Sequence, residues 1–104
     1  MVSKGMVTKA KYAADCKTLE QIPNIGPAMA GDLRQMGIAH PQDLRGRDAF
    51  ALYQQLCKLS GQRQDPCVLD TFMAAVDFVQ GGPALPWWHY TPQRKAEYGQ
   101  IENG

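Results

Sequence analysis

Apolar residues along this chain recur at helical spacing, in short runs punctuated by Pro, Gly and Asp. In "TLEQIPNIGPAMAGDLRQMGI", Met29, Ala30, Leu33 and Met36 share one helical face. Pro27 suits the first position of that helix, and Gly37 with Ile38 suits its left-handed end. Before it, Thr18 and Gln21 have the spacing of a capping box, and Pro23 stops the helix they open after one turn. Residues 40–44 read as a one-turn helix closed near Gly46. Asp48 is placed to cap a helix over 49–59 with Leu52, Tyr53, Leu56 and Leu59 inward. Asp65 and Pro66 repeat the signature before a helix over 67–80, whose face is Leu69, Phe72, Met73, Val76 and Val79. Gly81, Gly82 and Pro83 end it. Residues 7–16 are a weak helix candidate with no clear stripe, and no segment alternates as a strand would. The pattern predicts four to six helices in one compact all-α bundle, with the apolar cluster of residues 85–88 packed back on it.

Composition sharpens this picture. The chain has 104 residues, enough for one small domain, and favours Leu, Ala, Met and Gln over β-branched residues. The expected organisation is a basic arm over 1–16, a single domain over 17–90 and a polar, exposed tail over 91–104. Met6 is a plausible start, which makes residues 1–5 an expression addition and leaves Lys4, Lys9 and Lys11 on a solvated arm. The net charge of +1 is low for a dedicated nucleic-acid module. No apolar run is long enough to span a membrane. Three cysteines at no metal-site spacing fit a reducing cytoplasm.

The kink at Pro23, Asn24, Ile25 and Gly26 is where chemistry concentrates. Two helices meet there at a tight turn, for which Asn24 and Gly26 both tolerate left-handed backbone geometry. Ile25 between them can point into the core. The N–H groups of Gly26 and Ala28 open the second helix without intrahelical partners and carry the positive end of its dipole. Such a terminus suits a phosphate.

Leu19, Ile22, Pro23, Ile25, Gly26, Ala30 and Leu33 resemble the helix-hairpin-helix motif, roughly Leu-x-x-Ile-Pro-Gly-Ile-Gly-x-x-x-Ala-x-x-Leu. The stretch "DLRGRDAFALYQQLCKLSGQRQDPCVLDTFMAAVDFV" and the later "PWW" resemble the small bacterial pathogenicity-locus or mitomycin-resistance proteins. That likeness runs from about residue 18 to residue 89. The helix-hairpin-helix resemblance implies a SAM-like fold whose hairpin touches DNA phosphates without reading bases. It also implies a monovalent cation held on the hairpin carbonyls as the one candidate cofactor. Two departures stand out. Asn24 replaces the first hairpin glycine, and Ala28 and Met29 stand where a Lys or Arg often follows. The nearest cations in sequence are Lys17 and Arg34, then Arg45 and Arg47, while Glu20 and Asp32 flank the loop.

The leading expectation is therefore a weak, sequence-independent DNA-binding module. Its site would be Pro23, Asn24, Ile25, Gly26 and Ala28, rimmed by Lys17, Arg34, Arg45 and Arg47. The alternative is a protein-interaction or scaffold domain that uses Trp87, Trp88 and Tyr90 as its patch. Cys57, Cys67 and His89 lack the close pairing of zinc ligands, so no metal centre is expected. Cys67, in the first turn of a helix, is the one candidate for a reactive thiol. No catalytic pair, triad or phosphate loop is present, so no enzyme is expected.

Overall fold

A computed structural model describes residues 9–98. Among them four α-helices form: α1 Pro27–Gln35, α2 Ala49–Ser60, α3 Pro66–Val79 and α4 Thr91–Tyr98. Short 3-10 helices at Ala13–Asp15, Leu19–Gln21, Pro41–Leu44 and Trp87–Tyr90 link or precede them. No strand occurs among the described residues, and the fold is all-α.

The bundle is built around α3. Nine of its fourteen residues are buried, which is too many for a one-sided amphipathic helix. Phe72 and Phe78 anchor this core. Against α3 pack α2, through Leu52, Tyr53 and Leu56, and on other sides the Pro41–Leu44 turn and the segment that carries Trp87–Tyr90 and α4. The N-terminal part contributes Leu19, Ile22, Ile25, Ala30 and Leu33, all fully buried.

Helix ends form where capping chemistry directs. Asp48 accepts from the Phe50 N–H, and Asp65 from that of Cys67 at 2.9 Å. At the end of α1, Gly37 has φ +88°; its N–H donates to Arg34 O, and that of Ile38 to Leu33 O at 3.0 Å. These are the two bonds of a Schellman ending. The end of α3 repeats them: Gly81 has φ +102°, and the Gly82 N–H donates to Asp77 O at 2.9 Å. Gly82 is needed sterically as well, because a Cβ there would lie 2.7 Å from both the carboxyl carbon and the backbone oxygen of Asp77.

Three expectations need correction. Of the helix expected over 7–16, residues 7 and 8 lie outside the described residues, and the rest shows one 3-10 turn at Ala13–Asp15. It is tied down nonetheless: the Ala10 N–H donates to Gln21 O at 2.9 Å, and Cys16 is buried. Leu59, assigned to the inner face of α2, is exposed: it lies in the last turn of the helix, beyond Leu56, the last buried residue of that face. The polar tail expected over 91–104 begins as α4 Thr91–Tyr98; residues 99–104 lie outside the described part. The helix docks because Arg94, the feature that makes it read as solvated, is buried against Asp70 of α3. Arg94 Nε donates to Asp70 Oδ1 at 2.8 Å, and Thr91 Oγ1 donates to Asp70 Oδ2 at 2.6 Å. At the far end, Tyr98 stacks on Phe50 with ring centroids 4.7 Å apart.

Candidate functional site

The sharpest feature on the surface is the turn over 22–25. The Ile25 N–H donates to Ile22 O at 3.1 Å, and Asn24 takes φ +74°. Proline second and a left-handed Asn third are the residues a type II turn prefers. The apolar side chains either side, Ile22 and Ile25, are fully buried and lock the turn to the core. Only Asn24 is left-handed. Gly26, expected to share that geometry, is extended at φ −92° and ψ 179°, a conformation open to any residue. A Cβ on Gly26 would meet nothing within 4 Å. Neither backbone strain nor internal packing therefore calls for glycine at this position. Gly26 caps α1, its carbonyl accepting from the Ala30 N–H at 2.9 Å, and Pro27 and Ala28 beside it are exposed.

Two carbonyls of the turn and that of Glu20 before it converge on a cation. Lys9 Nζ donates to Glu20 O at 2.7 Å, to Ile22 O at 3.1 Å and to Ile25 O at 2.5 Å. An ammonium has three donors, so all of them are spent on this cage, and only the protonated lysine fills it. Partial burial pulls the Lys9 pKa below its ordinary value, against the raising influence of Cys16 and Glu20. Lys9 lies 11 to 16 residues from its acceptors in sequence. No local pattern pairs them, and the expectation of a solvated arm missed this residue. Lys4 lies outside the described residues.

The other expected cations divide. Arg34 forms a two-point pair with Glu20, at 2.9 and 2.8 Å, so the first candidate cation is already engaged by the acid that flanks the loop. The pair holds Glu20 below the usual carboxylate range, mainly through the guanidinium hydrogen bond. Lys17 is exposed beside the Leu19–Gln21 turn. Its backbone N–H and that of Thr18 both donate to Gln21 Oε1, the returning half of the expected capping box. Arg45 and Arg47 stand apart from this group. Arg45 borders a cavity of about 290 Å³ with Ala13, Ala14, Gln80 and Gly81, at the C-terminal end of α3, where a helix dipole favours a cation. Arg47 Nε donates to Asp43 O. No hydrogen bond among the described residues joins either arginine to the 22–25 turn.

Asn24 connects the turn to the aromatic run. Its Nδ2 donates to Leu85 O at 2.8 Å, and its Oδ1 accepts from the Trp87 N–H at 3.3 Å. The side chain that replaces a glycine is thus a clamp. Trp87 is half-buried, and Trp88 packs edge-to-face on it with centroids 5.7 Å apart. Trp88 is 62% exposed. Tyr90, counted with these rings as a contact residue, is instead core: it is buried, and its hydroxyl donates to Asp77 Oδ2 at 2.6 Å. Burial and that carboxylate push its pKa up.

Cys67 does not have the depressed pKa a helix N-terminus can give. Burial, with Asp65 hydrogen-bonded nearby, pushes the thiol up to about 11, so the thiolate is scarce at neutral pH. Among the described residues, no group of three or more His, Cys, Asp or Glu side chains is arranged to hold a metal ion. No helix of the described residues is long and apolar enough to cross a membrane.

Comparison with known proteins gives the family. The family model described as "Cdd1: Pathogenicity locus" matches residues 12–96. A mitomycin resistance protein, McrB, of Streptomyces lavendulae is 46% identical over 83 residues, which cover 80% of this chain and 79% of that protein. No solved structure matches the chain significantly. With a family match that runs from the Ala13–Asp15 turn into α4, through the Lys9-caged turn and the Asp70–Arg94 contact, the chain belongs to the pathogenicity-locus family.

Proposed function

We propose that this protein is a sequence-independent DNA-binding module, and that the 22–26 turn with α1 acts as a helix-hairpin-helix unit on the phosphate backbone. The observation that carries this reading is the Lys9 ammonium fixed on the carbonyls of Glu20, Ile22 and Ile25. It supplies the turn with the cation that its own sequence lacks, at the position where the family resemblance implies a monovalent ion. With its donors spent, Lys9 acts on a phosphate through charge, while the N–H groups of Gly26 and Ala28 are the hydrogen-bond donors. Gly26 supports the same reading, since a bare backbone there is called for by neither strain nor packing and leaves room for a phosphate.

The site is weakly charged. Glu20 neutralises Arg34, and Asp32 adds a second acid to the sequence that flanks the turn. Affinity is therefore low, and the salt dependence corresponds to about two or three phosphate contacts, a log–log slope of about −2 to −3. Labelled duplex titrated at low and high salt, with amide NMR shifts recorded over residues 24–28, tests this. The expected result is salt-sensitive binding with shifts at Asn24, Gly26 and Ala28. The variant Gly26→Ala separates function from folding: thermal stability stays close to the parent, and DNA affinity falls as the new Cβ crowds the phosphate. No binding at about 50 mM salt, where phosphate contacts are strong, overturns the proposal.

The scaffold reading retains Trp88 and part of Trp87 but loses Tyr90, which is committed to Asp77.

A further inference from the structure

We infer that the nucleic acid this face takes is an unpaired strand, with Trp88 as the platform on which one base stacks. The inference rests on the phosphate-binding reading above and adds the class of strand. Trp88 leaves 62% of its surface in water, although burying an indole is among the larger apolar gains available to a side chain. The ring is exposed and yet held. Its edge-to-face contact with Trp87 crosses at 86°. Trp87 is half-buried, and its backbone N–H donates to Asn24 Oδ1. Asn24 in turn is the left-handed residue of the turn whose carbonyls grip Lys9. An unbroken series of contacts therefore runs from the caged cation, through the turn, to the exposed ring. The backbone that carries the ring is tied to the turn before any ligand arrives, which lowers the ordering cost of binding.

The chemistry of the pair selects the ligand. A ring face can stack on a base only when that base is unstacked from its neighbours, so a platform beside a phosphate site favours a single strand over a duplex. Stacking is indifferent to base identity, in keeping with a turn that touches backbone alone. A protein partner fits less well. A stable protein interface buries about 800 Å² on each side. The other large apolar side chains exposed among the described residues are Tyr12 and Leu59, far from Trp88 in sequence, and the one ring contact that Trp88 makes is with Trp87.

The test compares a labelled oligothymidylate, a duplex of the same length and an abasic strand with the same phosphates. Trp88→Ala is the variant, and Trp88→Phe its conservative counterpart. The intact protein is expected to bind oligothymidylate about tenfold tighter than the duplex, with quenching of tryptophan fluorescence. Trp88→Ala removes that margin and leaves duplex and abasic binding unchanged, and Trp88→Phe restores part of it. Equal binding of strand and duplex, unaffected by Trp88→Ala, overturns the stacking platform while leaving the phosphate reading intact. That is also the outcome if the ring serves a protein partner. A loss spread equally over all three ligands marks Trp88 as structural and overturns it too. Binding to none of them overturns both proposals.

Discussion

Two ion pairs of the same chemistry hold two regions of this molecule. Glu20–Arg34 lies beside the 22–25 turn, at 2.8 Å, with side chains 23% and 46% exposed. Asp70–Arg94 joins α3 to α4 at the same 2.8 Å, with side chains 0% and 5% exposed. Bond length alone would equate them. Water separates them: the first pair is screened and can exchange its partners for solvent, while the second exists only as long as α4 stays docked. The pair beside the turn stands in water. The α3–α4 seam is structural, and its charges are not available to anything else.

The largest expected effect comes from breaking the buried pair. Arg94→Met leaves the Asp70 carboxylate without its cation in the core, and should cost about 3–5 kcal/mol. Chemical denaturation measures it, and a loss no larger than that of the surface pair would break the comparison. Adding Asp70→Leu should recover much of that loss, because an apolar pair tolerates the site better than a lone charge.

Next comes Gly82→Ala, where the new methyl would sit 2.7 Å from the Asp77 main-chain oxygen. The end of α3 must shift and take the Asp77–Tyr90 hydrogen bond with it. A loss of about 1–3 kcal/mol is expected, and near-parent stability would show that this end of the seam is soft.

Asn24 gives a smaller and more discriminating effect. Asn24→Ala loses two hydrogen bonds and keeps a left-handed backbone that alanine resists, whereas Asn24→Gly loses only the bonds. Alanine should be the worse of the two by about 1 kcal/mol. Equal losses in the two variants would mean that the clamp, and not the turn geometry, sets the requirement.

Smallest in stability is Glu20→Gln. Its thermal midpoint at neutral pH should lie close to that of the parent. The direction with pH is definite, because Arg34 holds the folded pKa of Glu20 below its unfolded value of about 4.3. The carboxylate's contribution is present above that unfolded value and disappears as pH falls through the folded one, so parent and variant should converge in acid. The same substitution releases Arg34 and removes a negative charge beside the turn. On the proposed function it should raise DNA affinity at low salt, and a titration showing no gain would place Arg34 outside the site.

Much of the fold was legible because helix boundaries are local chemistry. Pro27, Asp48, Asp65, Gly37 and Gly81 act on groups within a few residues, so their types and spacing predict where α1, α2 and α3 begin or end. The turn was legible for the same reason. Its partners were not. Lys9 meets carbonyls up to 16 residues away, and Asn24 meets the Trp87 N–H 63 residues away. Polarity also misled at α4, where Arg94 and Thr91 read as solvated until Asp70 is brought opposite them.

The sequence by itself determined that the chain is helical, where it breaks and that one turn is unusually sharp, since each rests on backbone preferences and short-range capping. Only the tertiary structure decided what that turn carries. A cation from a remote arm, a clamp to the backbone of the aromatic run and a charge pair in water are contacts between distant parts of the chain. Their existence depends on which surfaces the buried α3 helix draws together.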